Sequence, residues 1–250
     1  MTQPRANDSS PISNLQSTVT RGWRFGIGVF FRAVAAILWK DLRAEFRTRE
    51  LLSTMLVFSL LVVLTFNFAL QLDRMARENV AAGVLWVTTI FAGTLGLNRS
   101  LAAEKDRGSL DGLLMAPVDR SALYFGKMLG NWLFMLIVQA VVLPVFSLLY
   151  NLPLVQPLIL LSVLLGTLGY AGVGTLLAAL SVQTRARDVM LPILLLPVAV
   201  PLLVAAVQAG GGVLARREWS DLSLWFNLLV AYDTIFIAVA YMVFDYVVEE

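Results

Sequence analysis

Cysteine and histidine are both absent from this chain. Without cysteine there is no disulfide, no thiolate metal site and no covalent thiol chemistry. Without histidine the usual zinc ligand, the commonest haem ligand and the commonest general base are gone. Such groups can reach this protein only on a partner chain. Charge is scarce as well: Asp, Glu, Lys and Arg make up 14% of the 250 residues, against about 25% in a soluble domain. So few polar groups cannot cover a water-facing surface. No G-x-x-x-x-G-K-[ST] phosphate loop occurs, so any ATP is bound elsewhere. The balance of 19 basic and 17 acidic residues, net +2, is too even to point to nucleic acid.

What is abundant is hydrocarbon. Apolar residues reach 58% and the mean hydropathy is +0.77. About 20 apolar residues in a helix cross the roughly 30 Å core of a bilayer. Six runs qualify: Leu51 to Gln71, Val80 to Asn98, Tyr124 to Tyr150, Gln156 to Val182, Val189 to Gln208 and Leu222 to Val248. They are continuous rather than alternating, which favours helices over a closed barrel. The expected fold is all-α, a polytopic membrane protein with six transmembrane helices in a permease domain over residues 51–250. Residues 1–30, rich in Ser, Thr, Asn and Pro and without an apolar stretch of signal-peptide length, are expected to form a disordered tail.

Lys and Arg fix the expected orientation. Fifteen fall before span one, between spans two and three with Lys127 just inside the third, or between spans four and five. The opposite side has four: Arg74, Arg77, Arg216 and Arg217. The larger group is expected to face the cytoplasm, and both termini with it.

Two segments on that side are not spans. In FRAVAAILWKDLRAEFRTRE, residues 31–50, Phe31, Val34, Leu38, Leu42 and Phe46 recur at helical steps, with Lys40, Arg43 and Arg47 on another face. This predicts an amphipathic interfacial helix, apolar side in lipid and basic side toward anionic headgroups. It serves as an anchor, or it also touches a cytoplasmic partner. In EKDRGSLDGLLMAPVDRSALYFGK, from Glu104, a polar block of Glu104, Lys105, Asp106 and Arg107 precedes Leu110, Leu113 and Leu114 at helical spacing, and Pro117 ends the pattern. The pattern fits a short surface helix that docks into a partner, or a solvated loop that keeps topology.

That second stretch resembles the first cytoplasmic loop of permeases in type-2 ATP-binding-cassette exporters. The matching features are Glu104, Gly108 with Ser109, Leu113 with Leu114, Pro117 and Lys127. The pre-span segment WKDLRAEFRTRELL is similar to that family's opening element. Within the class the chain most resembles the haem exporter B family of cytochrome c maturation, through the loop continuing into GKMLGNWL, through LLLPVAVPLLVAAVQA and through AYDTIFIAVAYMVFDYVVEE. The match runs from about Ala33 to the end. The resemblance implies a permease, not an enzyme, with a separate cytoplasmic ATPase. It implies two copies per complex, a haem-handling membrane subunit, a small single-span subunit and a haem chaperone, all in a bacterial inner membrane. The work would be haem export or release of haem-loaded chaperone. The alternatives are an exporter of lipid, drug or polysaccharide, and a non-transporting scaffold that transmits the ATPase stroke. ATPase coupling would fall to Trp39, Lys40, Arg43, Arg47, Glu50, Glu104, Lys105, Asp106, Arg107, Leu113, Leu114 and Pro117. No cofactor is expected on this chain alone, and haem is left to a site shared with partners.

Inside the spans, Pro192, Pro197 and Pro201 each remove a backbone donor and are expected to kink or hinge span five. Gly166, Gly169, Gly172 and Gly174 in span four, with Gly93 and Gly96 in span two, are read as sites of close helix contact. Asp233 lies deep in span six, where a carboxylate costs on the order of 2.5–3.5 kcal/mol. Asn67, Gln139 and Asn227 are its candidate polar neighbours. Asp245, about 120° away around the same helix, does not suit a shared proton, which argues against an intramembrane protease.

Overall fold

The computed structural model describes residues 11–69, 74–106, 120–182 and 187–249. Among these, every regular element is a helix: α1 (Pro11–Thr48), α2 (Glu50–Ala69), α3 (Arg74–Asp106), α4 (Arg120–Tyr150), α5 (Pro157–Val182), α6 (Arg187–Leu214) and α7 (Trp219–Glu249). Helices α2 to α7 are each long and apolar enough to cross a membrane. Their order and number are those read from the sequence.

Burial sorts the six spans into two classes. In α3 and α5, 72% and 67% of the membrane-length window is buried, against 22% to 39% in the other four. The outer spans α2, α4, α6 and α7 therefore surround a central α3–α5 pair. Helix α5 packs on α3, α4, α6 and α7. Helix α1 lies outside, along α4, and brushes α2. The core holds Trp86, Tyr124, Phe146 and Tyr170, all at most 2% exposed. Outward positions such as Phe68, Leu148, Ile193 and Met242 are large, apolar and exposed, as expected where hydrocarbon is the solvent.

Small residues let the central helices approach. A Cβ at Gly166 of α5 would overlap the Trp86 indole of α3, and one at Gly174 would overlap Leu97. Gly93 likewise faces Met135 and Tyr170, and Gly96 faces Met55. Most buried hydroxyls bond within their own helix, as Thr88 does to the Val84 carbonyl at 2.7 Å. Others tie helices together. Tyr170 Oη meets Thr94 Oγ1 at 2.6 Å, Asn131 donates to Thr175 at 3.1 Å, and Tyr124 donates to the Gly172 carbonyl at 3.0 Å.

Among the described residues, three non-glycine residues with left-handed φ mark breaks between helices: Arg49 (55°), Asn151 (54°) and Arg216 (53°). After α4 and α6 the chain closes with a six-to-one bond, Leu152 N–H to Ser147 C=O at 3.1 Å and Arg217 N–H to Gly212 C=O at 2.9 Å, the Schellman arrangement. Between α1 and α2, buried Glu45 accepts from the Leu52 N–H at 2.8 Å, satisfying a donor in the first turn of α2. Glu45→Ala should orphan that N–H and cost about 1 kcal/mol, roughly a 2–4 °C fall in the melting temperature in detergent. Glu45→Gln keeps an acceptor and should leave the melting curve nearly unchanged.

Two expectations change. Helix α1 begins at Pro11, so the tail expected over residues 1–30 is helical from that point. Proline suits a first helical turn, and none follows it before Pro117. Helix α6 runs to Leu214 rather than stopping near Gln208, straight through Gly210, Gly211 and Gly212. A helix end inside hydrocarbon would leave carbonyls unsatisfied, and the glycines permit close packing, with Ala82 3.7 Å from where a Cβ at Gly210 or Gly211 would lie. The short coupling helix expected between spans two and three falls on residues 107–119, outside the described residues.

Candidate functional site

The basic end of the bundle is built on a small-xxx-small pair in α4, Gly126 and Gly130. α1 seats there: a Cβ at Gly126 would lie 2.7 Å from Ile37 Cγ2, and one at Gly130 would sit 3.8 Å from Asp41 Oδ2 and from Leu38. Between the two glycines, Lys127 is 3% exposed and donates to Asp41 Oδ2 at 2.8 Å. Asp41, 12% exposed, also holds Lys40 at 3.2 Å. Rings extend the contact: Phe30 of α1 packs on Phe125 of α4, and Phe125 on Tyr241 of α7, with centroids 6.0 and 6.3 Å apart. A second ion pair, Arg99 to Glu50 at 2.9 Å, with Arg99 donating to Thr54 at 3.0 Å, staples α3 to α2. Both of its partners are half exposed or more, so it adds little stability.

This geometry divides α1 into three faces. Val34, Ile37 and Glu45 are buried; Phe31, Trp39 and Phe46 form an exposed ring face; Lys40, Arg43 and Arg47 are exposed beyond it. The single apolar stripe expected from the sequence is thus split, because Val34 serves α4 while Phe31 and Phe46 point outward. Glu50 opens α2. Glu104, Lys105 and Asp106 form the last turn of α3, while Arg107, Leu113, Leu114 and Pro117 lie outside the described residues. The described coupling candidates therefore lie on α1, at the start of α2 and at the end of α3.

The intramembrane candidates do not converge. Asn67 is half-buried on α2. Helix α6 is one helix through all three prolines, with Pro197 and Pro201 exposed and Pro192 half-buried. Tyr232 of α7 donates to the Val198 carbonyl, between Pro197 and Pro201, at 3.0 Å. Asp233 is 5% exposed, and neither carboxylate oxygen has a hydrogen-bond partner among the described residues. The three residues considered as its neighbours are occupied elsewhere: Gln139 donates to Thr89, Asn227 is exposed, and Asn67 remains on α2. The Asp233 carboxylate lies against Gly169, where a Cβ would overlap it. The residue also borders a groove of about 560 Å³ along α7, with Phe125, Leu165, Leu168, Ile237 and Tyr241, but its oxygens are buried rather than open to it.

Sequence reasoning missed the Asp41–Lys127 pair and the Glu45 cap. The signal for the first was present: G-K-M-L-G at the start of a span, with an acid one turn from Ile37 on a preceding amphipathic helix. In the sequence Lys127 stands out as a topology marker and as part of the family resemblance, not as half of an ion pair. The Glu45 cap left no comparable signal, since its partner is a backbone N–H across a break.

The chain matches the family described as CcmB protein over residues 32–249. Among curated relatives, heme exporter protein B of Pseudomonas aeruginosa is 29% identical over 196 residues, covering 78% of this chain and 88% of that protein. Heme exporter protein B of Rhodobacter capsulatus is 33% identical over 190 residues, covering 76% and 85%. The protein of the same name from Paracoccus denitrificans is 33% identical over 175 residues, covering 70% and 80%.

Proposed function

The chain belongs to the CcmB protein family, and on that premise we propose that it is the permease subunit of an ATP-binding-cassette complex of cytochrome c maturation in a bacterial inner membrane. Its substrate class is haem, the cargo named in its relatives. ATP is hydrolysed on a separate cytoplasmic chain. Both termini and the 107–119 segment face the cytoplasm, following the bias of 15 basic residues to four. Two copies assemble with a haem-handling membrane subunit, a small single-span subunit and a haem chaperone.

The observation that carries the coupling role is the mounting of α1 on α4 by Asp41 and Lys127. The ATPase docks on residues 104–117 and on the basic face of α1. Residues 107–119 join the end of α3 directly to the start of α4. A push there moves two spans together, and the buried ion pair makes α1 travel with the second. Because α3 packs deep against α5, the stroke reaches the centre of the bundle rather than its rim.

A second reading, a scaffold that passes the stroke to a haem-bearing neighbour, draws support from the missing histidine and cysteine. In this reading haem rests on partner chains while this chain supplies the movement.

Charge reversal at single positions tests the docking surface. Glu104→Lys and Arg107→Glu should each reduce co-purification of the ATPase by about tenfold, as like charges meet across the interface, with a parallel fall in c-type cytochrome yield. Unchanged co-purification and unchanged cytochrome yield would remove the docking assignment.

A further inference from the structure

Helix α1 turns its acids inward and its bases outward. Asp41 and Glu45 face the bundle, 12% and 8% exposed, whereas Arg32, Lys40, Arg43 and Arg47 are exposed. Among the described side chains of α1 no acidic one is exposed, and no ion pair holds Arg32, Arg43 or Arg47. Val34 and Ile37 seat the helix on its neighbours and so fix its roll. At about 100° per residue from Val34, the exposed rings of Phe31, Phe46 and Trp39 fall at about 60°, 120° and 140°. Arg32 and Arg43 follow at about 160° and 180°, then Arg47 and Lys40 at about 220° and 240°. The sequence groups Lys40, Arg43 and Arg47 on one face. The packed helix instead lines Arg32 up with Arg43 beside the rings, three turns and about 16 Å apart, and turns Lys40 back to Asp41.

The height of this line follows from its neighbours. Glu50 and Arg99, paired at 2.9 Å, stand at the ends of the apolar stretches of α2 and α3 and mark the membrane surface. Helix α1 joins α2 there, where Glu45 accepts from the Leu52 N–H. Asp41 lies at Gly130 and Phe30 at Phe125. Eleven residues of α1, about 16 Å, thus climb only five residues of α4, about 7.5 Å, so α1 lies closer to the plane of the membrane than to its normal. Rings at that height enter the upper acyl layer, and the adjoining guanidinium groups meet the headgroups. We propose that Arg32 and Arg43 bind the phosphates of anionic phospholipids, with Trp39 held between them against the acyl chains. A zwitterionic headgroup carries its own amine and offers less to an unpaired guanidinium. A free phosphate has nothing to engage the rings. A second copy meeting this face with its own sets arginine against arginine, and arginine does not shed its charge. Lys40 and Arg47 lie on the far side of the line, where the ATPase contact read above would fall, so the two contacts do not compete. The inference needs only that the chain spans a bilayer, and it stands apart from the coupling role.

Fluorescence quenching by brominated lipids tests it on the full chain in phosphatidylcholine vesicles. The chain has six tryptophans, so the Trp39 signal is the difference between wild type and Trp39→Phe. Brominated phosphatidylglycerol or brominated phosphatidylcholine replaces part of the vesicle lipid, and each titration gives a relative association constant at Trp39. Both lipids should quench Trp39, and phosphatidylglycerol should associate about fivefold more strongly or better, the effect of one basic residue or more at an anionic surface. Arg32→Gln with Arg43→Gln should bring that ratio close to one. Arg32→Lys with Arg43→Lys should keep most of it, and so should Arg216→Gln with Arg217→Gln at the opposite end. At 1 M salt, where the Debye length is about 3 Å, the preference should shrink. Equal association of the two lipids, a preference that survives the glutamine pair, or one lost with the lysine pair overturns the proposal. Displacement of the lipid by inorganic phosphate also overturns it, in favour of a free-anion site. If neither lipid quenches Trp39, a second copy covers the face and the proposal fails.

Discussion

Asp41→Ala is expected to destabilise the protein by about 3–5 kcal/mol. The substitution leaves the Lys127 ammonium, 3% exposed, without its carboxylate. Lys127→Met should cost less, because Asp41 is more exposed, at 12%, and keeps Lys40 at 3.2 Å. The double variant Asp41→Leu with Lys127→Met should recover most of the loss, since an apolar pair of similar volume often equals a buried ion pair. Thermal unfolding in detergent reads all three. Function should separate from stability here. If the pair acts only as packing, the double variant restores c-type cytochrome yield along with the melting temperature. If it must hold α1 to α4 under load, stability returns and yield does not.

Gly166→Leu is expected to prevent correct assembly of the bundle. A Cβ at that position already overlaps the ring of Trp86, which is 2% exposed and has nowhere to move. Gly166→Ala alone should already destabilise, because a strain of about 1–3 kcal/mol or more exceeds a gain of up to about 1 kcal/mol in helix propensity. Leucine adds three more carbons without a comparable further gain. The yield of folded protein after detergent extraction should collapse for Gly166→Leu and return in part when Trp86→Ala is added. Gly172→Ala is the matched control. The nearest atoms a Cβ would meet there are Tyr124 Oη at 3.5 Å and Met128 Sδ at 3.7 Å, so that variant should be neutral or slightly stabilised. Full folded yield from Gly166→Leu would show that the α3–α5 contact is looser than the glycine spacing requires.

Much of this fold is legible in the sequence because the bilayer imposes one rule on every span. Each backbone group must be satisfied within its own helix, so a long apolar run has few alternatives to helix. The same rule accounts for α6 running past Gln208 to Leu214. Three consecutive glycines look like an ending, but in hydrocarbon an ending is more costly than three poor helix formers. The glycines of α5 were legible too, since small residues in an oily run have few uses beyond close approach. Lateral relations were not legible. Nothing in the order of residues says that Asp41 reaches Lys127 across 86 positions, or that Val34 turns toward α4 while Phe31 turns away. Those facts depend on how α1 is rolled, which only packing decides. Asp233 was visible as an anomaly from the sequence alone. That its oxygens find no donor on this chain required the neighbouring helices to be in place.

The threefold division of α1 means that its roll angle answers to three media at once. With the ring face in acyl chains and the guanidinium face in water, turning the helix by a quarter lifts Phe31, Trp39 and Phe46 out of oil. Each aromatic carries roughly 1.5–3 kcal/mol of transfer free energy. On the proposed coupling role, a motor pulling on this helix would work against the membrane itself, and release of the load would favour its return to the original roll.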